Sequence, residues 1–257
     1  GPALPAGGPQ VTVDREIDLA NIVTSAAKGV TTVQEAPSII TIITGDEIRQ
    51  RGYRDLGQVL ASIPGWVDAR AEGTQVTAPL ARGTIQAVLY LRDGVSLFDP
   101  AFNISTMSRV VPLETIKRVE VITGPGGVLW GANSFMGIVN VITKDGDDVN
   151  GVEFSAGGGH GPGDPSALRA YAMVGKALWK DRLKLFFHAS YENFRGMEIT
   201  GRQFVANSVS PQPLGPALYG VGTVDGDVAR SWILNLDGKI SLGPVSLYVN
   251  YPFGELN

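Results

Sequence analysis

Apolar residues come in short unbroken runs along the first half of the chain and alternate with polar ones along the second half. "PSIITIIT" (37–44) is rich in β-branched residues and predicts a buried strand. Thr44 and Glu47 of "TGDE" have the spacing of a capping box, which predicts a short helix to about Arg51 that Gly52 ends. In "DLGQVLASIPG" (55–65), Leu56, Val59, Leu60 and Ile63 share one helical face before Pro64-Gly65 stops the element. "AVLYLRDG" (87–94) predicts a strand entering an Asp-Gly turn. "PLETIKRVEVITG" (112–124) reads as a helical turn feeding a strand, and "GIVNVITK" (137–144) as another buried strand.

From Gly151 the period becomes two. In "SWILNLDGKISL" (231–242), Trp232, Leu234, Leu236, Ile240 and Leu242 share one face, and Ser231, Asn235, Asp237, Lys239 and Ser241 share the other. "RLKLFFHASYE" (182–192) and "PVSLYVNY" (244–251) alternate likewise, and "GVEFSAGGG" and "ALRAYAMVGKALW" predict further strands. Alternating segments of about ten residues edged by aromatics are what membrane β-barrels show. A soluble antiparallel sheet with one wet face has the same period, so periodicity leaves both readings open. "NSVSPQPLGPALYGVGTVDGD" (207–227) is expected to be a long loop.

Composition removes several functions. The net charge of −4 gives no basic footprint for nucleic acid. With no cysteine, disulfides, zinc ribbons and thiol catalysis are excluded. The two histidines, His160 and His188, do not make a His-rich metal site. No window approaches the ~18 apolar residues of a membrane helix. "KDGDDVNG" (144–151) lacks calcium-loop spacing and is expected to be a solvated hinge. No nucleophile–base pair or cofactor loop is visible, so neither an enzyme nor a cofactor is expected; nothing in the sequence brings Asp93 and Glu120 together as an acid–base pair.

"GPGGVLWGAN" (124–133) tests the one remaining chemical motif. Gly126 and Gly131 have P-loop spacing, but Ala132 and Asn133 stand where the phosphate-binding Lys and the Mg²⁺-ligating hydroxyl belong. Leu129 occupies the third glycine position of a dinucleotide fingerprint. These glycines need a structural explanation.

Read in order, "EAPSIITIITGDEIRQRGYRDLGQVLASIPGW", "ARG" (81–83), "LYLRDGVSLFDP" and "PLETIKRVEVITGPGGVLWGANSFMGIVNVITK" resemble the plug domain of TonB-dependent outer-membrane receptors, from about Asn21 to Lys144. The resemblance implies an α+β plug domain followed by antiparallel strands of an outer-membrane β-barrel. The expected organisation is a flexible N-terminus (1–29), a plug (30–144), and about five barrel strands (151–257). A barrel of about 22 strands needs several hundred residues, so most of it is expected outside this chain. In such a receptor Gly83, Gly94, Gly124, Pro125, Gly131 and Gly137 would serve tight turns and close packing in a crowded lumen.

The family commonly has Arg before the Gly-Pro, where this chain has Thr123. Arg82, Arg118 and Glu120 remain as candidates for plug–barrel ion pairs. Arg70, Phe98 and Phe102 lie on the loops implied to face the ligand. The Ton box, which an inner-membrane energising protein of the TonB type captures by strand addition, has two candidates. These are "QVTVDRE" (10–16) and "DLANIVTSA" (18–26), and Asn21, Ile22, Val23 and Thr24 of the second lie nearer the implied position. The implied function is energy-coupled uptake of a scarce nutrient in the bacterial outer membrane, with the plug gating the barrel. Iron chelates, cobalamin, sugars and peptides are all open as ligands; outer-membrane lipid is an implied partner and nucleic acid is not. A signal-transducing receptor, or an envelope binding or scaffold protein without transport, would share these features.

Overall fold

The computed structural model describes residues 39–70, 77–84, 88–99, 104–105, 111–124, 134–161, 166–195, 199–204, 219–224 and 231–256. Contacts divide the chain into two units. The first holds the described residues up to Ala69 together with Ala78–Thr143, and the second holds Arg70–Thr77 and Lys144–Asn257.

In the first unit, strand β1 (Ile39–Thr44) runs into helix α1 (Gly45–Arg51). Thr44 Oγ1 accepts from the Glu47 amide at 3.2 Å, and Gly52 ends the helix at φ 68. Thr44 and Gly52 thus cap the two ends, which matters because a helix this short has little stability of its own, while the Glu47 carboxylate pairs with Arg51 at 2.6 Å. Helix α2 (Leu56–Ala61) is capped by Asp55, whose carboxylate accepts from the Gln58 amide at 2.9 Å. Strands β2 (Trp66–Arg70) and β3 (Thr77–Ala81) form a two-stranded sheet. After them come β4 (Val88–Arg92), β5 (Val95–Ser96), and a small pair, β6 (Phe98–Asp99) with β7 (Ile104–Ser105). A 3-10 turn, Leu113–Thr115, feeds β8 (Ile116–Thr123), and β9 (Gly137–Thr143) completes a five-stranded sheet of order β1-β8-β9-β4-β5.

This sheet is buried on both faces, which is why its strands read as apolar runs rather than alternations. On one face Val119, Val121, Val139 and Val141 pack with Ile48 of α1 and with Leu56, Val59 and Leu60 of α2. On the other, Leu89, Leu91, Ile122 and Ile138 form a second cluster. Full burial of each such side chain contributes ~1.5–3 kcal/mol.

The second unit opens with a one-turn helix, α3 (Gly146–Val149), in place of the open hinge expected from the acidic run. The run is helical because Asp145 and Asp148 close a reciprocal capping box. Strands β10 (Gly151–His160), β11 (Ser166–Leu178) and β12 (Leu183–Arg195) follow as an antiparallel meander. A separate hairpin, β13 (Ile199–Phe204) with β14 (Tyr219–Val224), precedes β15 (Ser231–Leu242) and β16 (Val245–Leu256). The five-stranded order is β10-β11-β12-β15-β16. Strand β14 corrects the expectation of a continuous loop over 207–227. In "YGVGTV" Gly220 and Gly222 leave Val224 as the only side chain on one face, too little to show the alternation. The five strands of the sheet are 10 to 13 residues long, enough for a tilted strand to cross a bilayer.

Candidate functional site

Neighbouring strands bring the polar residues of the first unit together inside an apolar sheet. Glu120 of β8 stands opposite Ile42 of β1 and Asn140 of β9, on the face of the Leu89–Leu91–Ile122–Ile138 cluster. Its side chain is fully buried, and Arg118 Nε and a second guanidinium nitrogen each lie 2.8 Å from Glu120 Oε1. Arg118 and Glu120 therefore pair with each other, two residues apart on one strand. Arg82 is exposed in a turn at φ 50, without a carboxylate partner among the described residues.

Beside this pair, across β9, Asp93 and Gly94 form the predicted turn, with φ 47 and 81. Asp93 also ties β4 to β9: Oδ1 accepts from the Thr143 amide at 2.9 Å and Oδ2 from Thr143 Oγ1 at 2.5 Å. The Gly94 amide donates to Asn140 Oδ1 at 3.1 Å. Burial pushes the Tyr90 phenol up from its ordinary value, and its hydroxyl donates to the Pro79 carbonyl at 3.3 Å.

The second unit carries the feature that decides between the two readings of its periodicity. One face exposes large apolar residues, with Val152 at 76%, Phe154 at 80%, Leu247 at 64% and Tyr251 at 61%, while Met173, Phe186 and Ile233 are buried. The opposite face is polar and buried, with His188, Ser190, Asn235, Asp237, Lys239 and Ser241 all below 9% exposure. A soluble sheet with one wet face has the reverse arrangement. An apolar exterior over a polar interior is the wall of a membrane barrel.

Hydrogen bonds join the polar face across the strands. His188 Nδ1 of β12 lies 2.8 Å from Asp237 Oδ2 of β15, both side chains fully buried. Asp237 Oδ1 accepts from Asn250 Nδ2 at 2.8 Å and from the Tyr248 hydroxyl, both on β16. The Tyr171 ring of β11 tilts against His188, and its hydroxyl donates to Glu153 Oε1 of β10 at 2.8 Å. The alternation places each of these residues on the polar face, but only the strand register makes them neighbours. Pairing "KLFFHASYE" with "WILNLDGK" in antiparallel register would have brought His188 to Asp237.

The acidic run of α3 lies against the same sheet. Lys184 Nζ reaches Asp147 Oδ2 at 2.6 Å, Lys239 Nζ reaches Asp145 Oδ1 at 3.3 Å, and Ser241 Oγ donates to that oxygen at 2.9 Å. The carboxylates of Asp145, Asp147 and Asp148 offer oxygens within 4.8 Å of one another. Two lysines and the capping box account for that convergence. The backbones also touch: a Cβ on Gly146 would lie 2.6 Å from the Lys176 carbonyl, and one on Gly175 only 2.8 Å from the Gly146 carbonyl.

Among the predicted turn glycines, Gly83, Gly94 and Gly124 have φ of 80, 81 and 122. Gly137 is a close-approach position, where a Cβ would stand 2.6 Å from the Ile122 carbonyl. Arg70 lies on β2 and Phe98 on β6, with side chains outside the described residues. Phe102, Pro125, Gly131 and the Ton box candidate Asn21–Thr24 also lie outside them.

The chain thus combines a small α/β sheet with a second sheet that has the face pattern of a membrane-barrel wall. Residues 32–138 match the family model described as "TonB-dependent Receptor Plug Domain". Over that segment the chain is similar to the plug domain of TonB-dependent receptors. It is 36% identical over 121 residues to the vitamin B12 transporter BtuB of Vibrio vulnificus, covering 46% of this chain and 20% of that one. It is 29% identical over 136 residues to the iron-regulated outer membrane virulence protein of Vibrio cholerae, covering 48% of this chain and 20% of that one. The chain thus spans about a fifth of the length of these curated relatives. Among solved structures, the siderophore receptor PirA of Acinetobacter baumannii shares the fold at TM-score 0.59 and 17% identity, covering 87% of this chain and 32% of its own. The ferric-catecholate import receptor Fiu of E. coli K12 does so at TM-score 0.59 and 21% identity, covering 91% of this chain and 29% of its own.

Proposed function

We propose that the chain belongs to an outer-membrane receptor that takes up a scarce metal chelate by energy coupling through TonB. The inverted second unit carries this reading: a sheet that shows its apolar face outward and keeps a bonded polar face inside is built to separate lipid from a lumen. The names of its relatives supply the ligand class, since vitamin B12 and ferric catecholates are both metal chelates. On this reading Asn21–Thr24 is the segment the energising protein captures by strand addition. Arg70, Phe98 and Phe102 contact the chelate, and Arg82 supplies a charge through which plug and barrel are held together, whereas Arg118 and Glu120 serve each other within β8.

The test is uptake of radiolabelled ferric siderophores and cobalamin by cells producing the full-length receptor, with and without residues 18–26. Uptake by the intact receptor, and binding without uptake in the deletion, is the expected result. Equal uptake by both would overturn energy coupling through this segment, and failure to bind any chelate would overturn the ligand class.

A further inference from the structure

The outer face of the second unit is not evenly covered. Ala172, Ala189 and Gly238 are small residues on the apolar side of β11, β12 and β15, and they lie under a groove of about 640 Å³. Phe187, Leu247 and Tyr251 stand at its sides, 51%, 64% and 61% exposed. The strand register shows how it forms. One row runs Ala172, Ala189, Leu236, Tyr251 and the next runs Val174, Phe187, Gly238, Val249, so short side chains sit diagonally among long ones.

The third row, on the same face, contains a cation. Lys176 stands beside Leu185, Ile240 and Leu247, and its Nζ lies 3.2 Å from Asn150 Oδ1. At ~3.3 Å per residue the groove rows lie roughly 7 and 13 Å along β11 from Lys176, within one leaflet of a core ~30 Å thick. Three residues beyond Lys176 the chain turns through Trp179, Lys180, Asp181 and Arg182, all exposed, with Trp179 at 72%. An aromatic and the cations Lys176, Lys180 and Arg182, with Asp181 among them, thus lie at headgroup level below a groove at acyl-chain level, at the end of the sheet where α3 carries Asp148 and the lysine-paired Asp145 and Asp147.

We infer that this face holds one glycerophospholipid, with an acyl chain in the groove beside Gly238 and its phosphate at Lys176, Lys180 and Arg182. The leaflet follows from the topology. The hairpin turns 179–182 and 243–244 are short and lie at the α3 end, whereas β12 and β15 are joined at the other end through 196–230. Short turns mark the periplasmic side of such barrels, so the lipid is drawn from the inner leaflet. The groove offers an acyl chain contact along its length, while the cations supply the charge that selects a phosphate. This inference rests on reading the sheet as a membrane wall.

The experiment uses the full-length receptor in dodecyl maltoside micelles carrying phosphatidylglycerol with a diazirine on one acyl chain. Photolysis is expected to label peptides covering 183–195 and 231–251, and native mass spectrometry to show one retained lipid. Gly238→Leu projects into the groove, since a Cβ there meets only the Phe187 ring, at an ordinary contact distance of 3.6 Å. It should weaken retention about tenfold, as expected if two methylenes of the chain are displaced. The triple variant K176Q/K180Q/R182Q should lose retention while the labelled peptides of the residual lipid stay the same. Labelling spread evenly round the barrel, equal retention by all three proteins, or preference for lipopolysaccharide would overturn the inference. Heat-modifiable gel migration of each protein reports the folded barrel separately; a receptor that never shows it would fail the membrane-wall reading itself.

Discussion

Arg118 and Glu120 face each other from alternate positions of one strand, 2.8 Å apart, with the carboxylate fully buried beneath an isoleucine- and leucine-rich face. The strand holds both partners of the pair in its own pleat. Removing one takes from the other the opposite charge 2.8 Å away. Arg118→Leu is therefore expected to destabilise the plug by ~3–5 kcal/mol, and the double variant R118L/E120L to recover most of that loss. Urea unfolding followed by fluorescence of Trp66 checks this; equal losses in the single and double variants would show that the pair contributes nothing as a pair.

The α3 segment is held to the barrel wall more by backbone contact than by charge. Gly175→Val would place a Cβ 2.8 Å from the Gly146 carbonyl and 2.8 Å from Val149 Cβ, so α3 must lift. Protease cleavage and amide exchange at 144–150 should then rise strongly. Lys184→Met removes a pair that is 27% and 37% exposed, so screening limits its effect to ~0.2–1 kcal/mol. If Lys184→Met frees the segment as fully as Gly175→Val, charge rather than packing holds α3.

Tyr90 predicts a weakening of the plug at high pH. Burial raises its phenol above the unfolded value of ~10, so the folded form keeps a proton that the unfolded chain loses. The stabilisation is complete below pH ~10 and is lost as pH rises from there through the folded value. Tyr90→Phe should lower stability at pH 7 by ~1 kcal/mol through loss of the hydrogen bond to Pro79, and should flatten the alkaline fall. Thermal unfolding between pH 7 and 11 reads both effects.

On the barrel wall, Asp237 accepts from His188, Tyr248 and Asn250, whereas each of those donors gives it one bond. Asp237→Ala takes this acceptor from buried His188 and from half-buried Tyr248 and Asn250, and should cost more than His188→Ala, Tyr248→Phe or Asn250→Ala, by ~1–3 kcal/mol. Refolding of the receptor into micelles at graded urea gives the order. A variant at one of the donors that is as damaging as Asp237→Ala would remove Asp237 from the centre of the network.

The elements of the plug were legible because local chemistry specifies them. Thr44 and Gly52 bound α1, Asp55 caps α2, and Asp93-Gly94 makes a left-handed turn whatever surrounds it. The alternation of β12, β15 and β16 was equally legible, since a side-chain period of two survives in any sheet. Their faces were not. Whether Leu236 or Asp237 points to water is absent from the period, because lipid and an apolar core demand the same residues; exposure of Leu236 at 44% and burial of Asp237 at 4% settle it only in three dimensions. Strand β14 and helix α3 were missed for related reasons. Glycine at alternate positions hides a strand, and "KDGDD" reads as solvated until Lys184 and Lys239 arrive from strands far along the chain. Local propensity and period were thus fixed by the order of residues, whereas partners distant in sequence, such as His188 with Asp237, were decided by register, which only the paired strands provide.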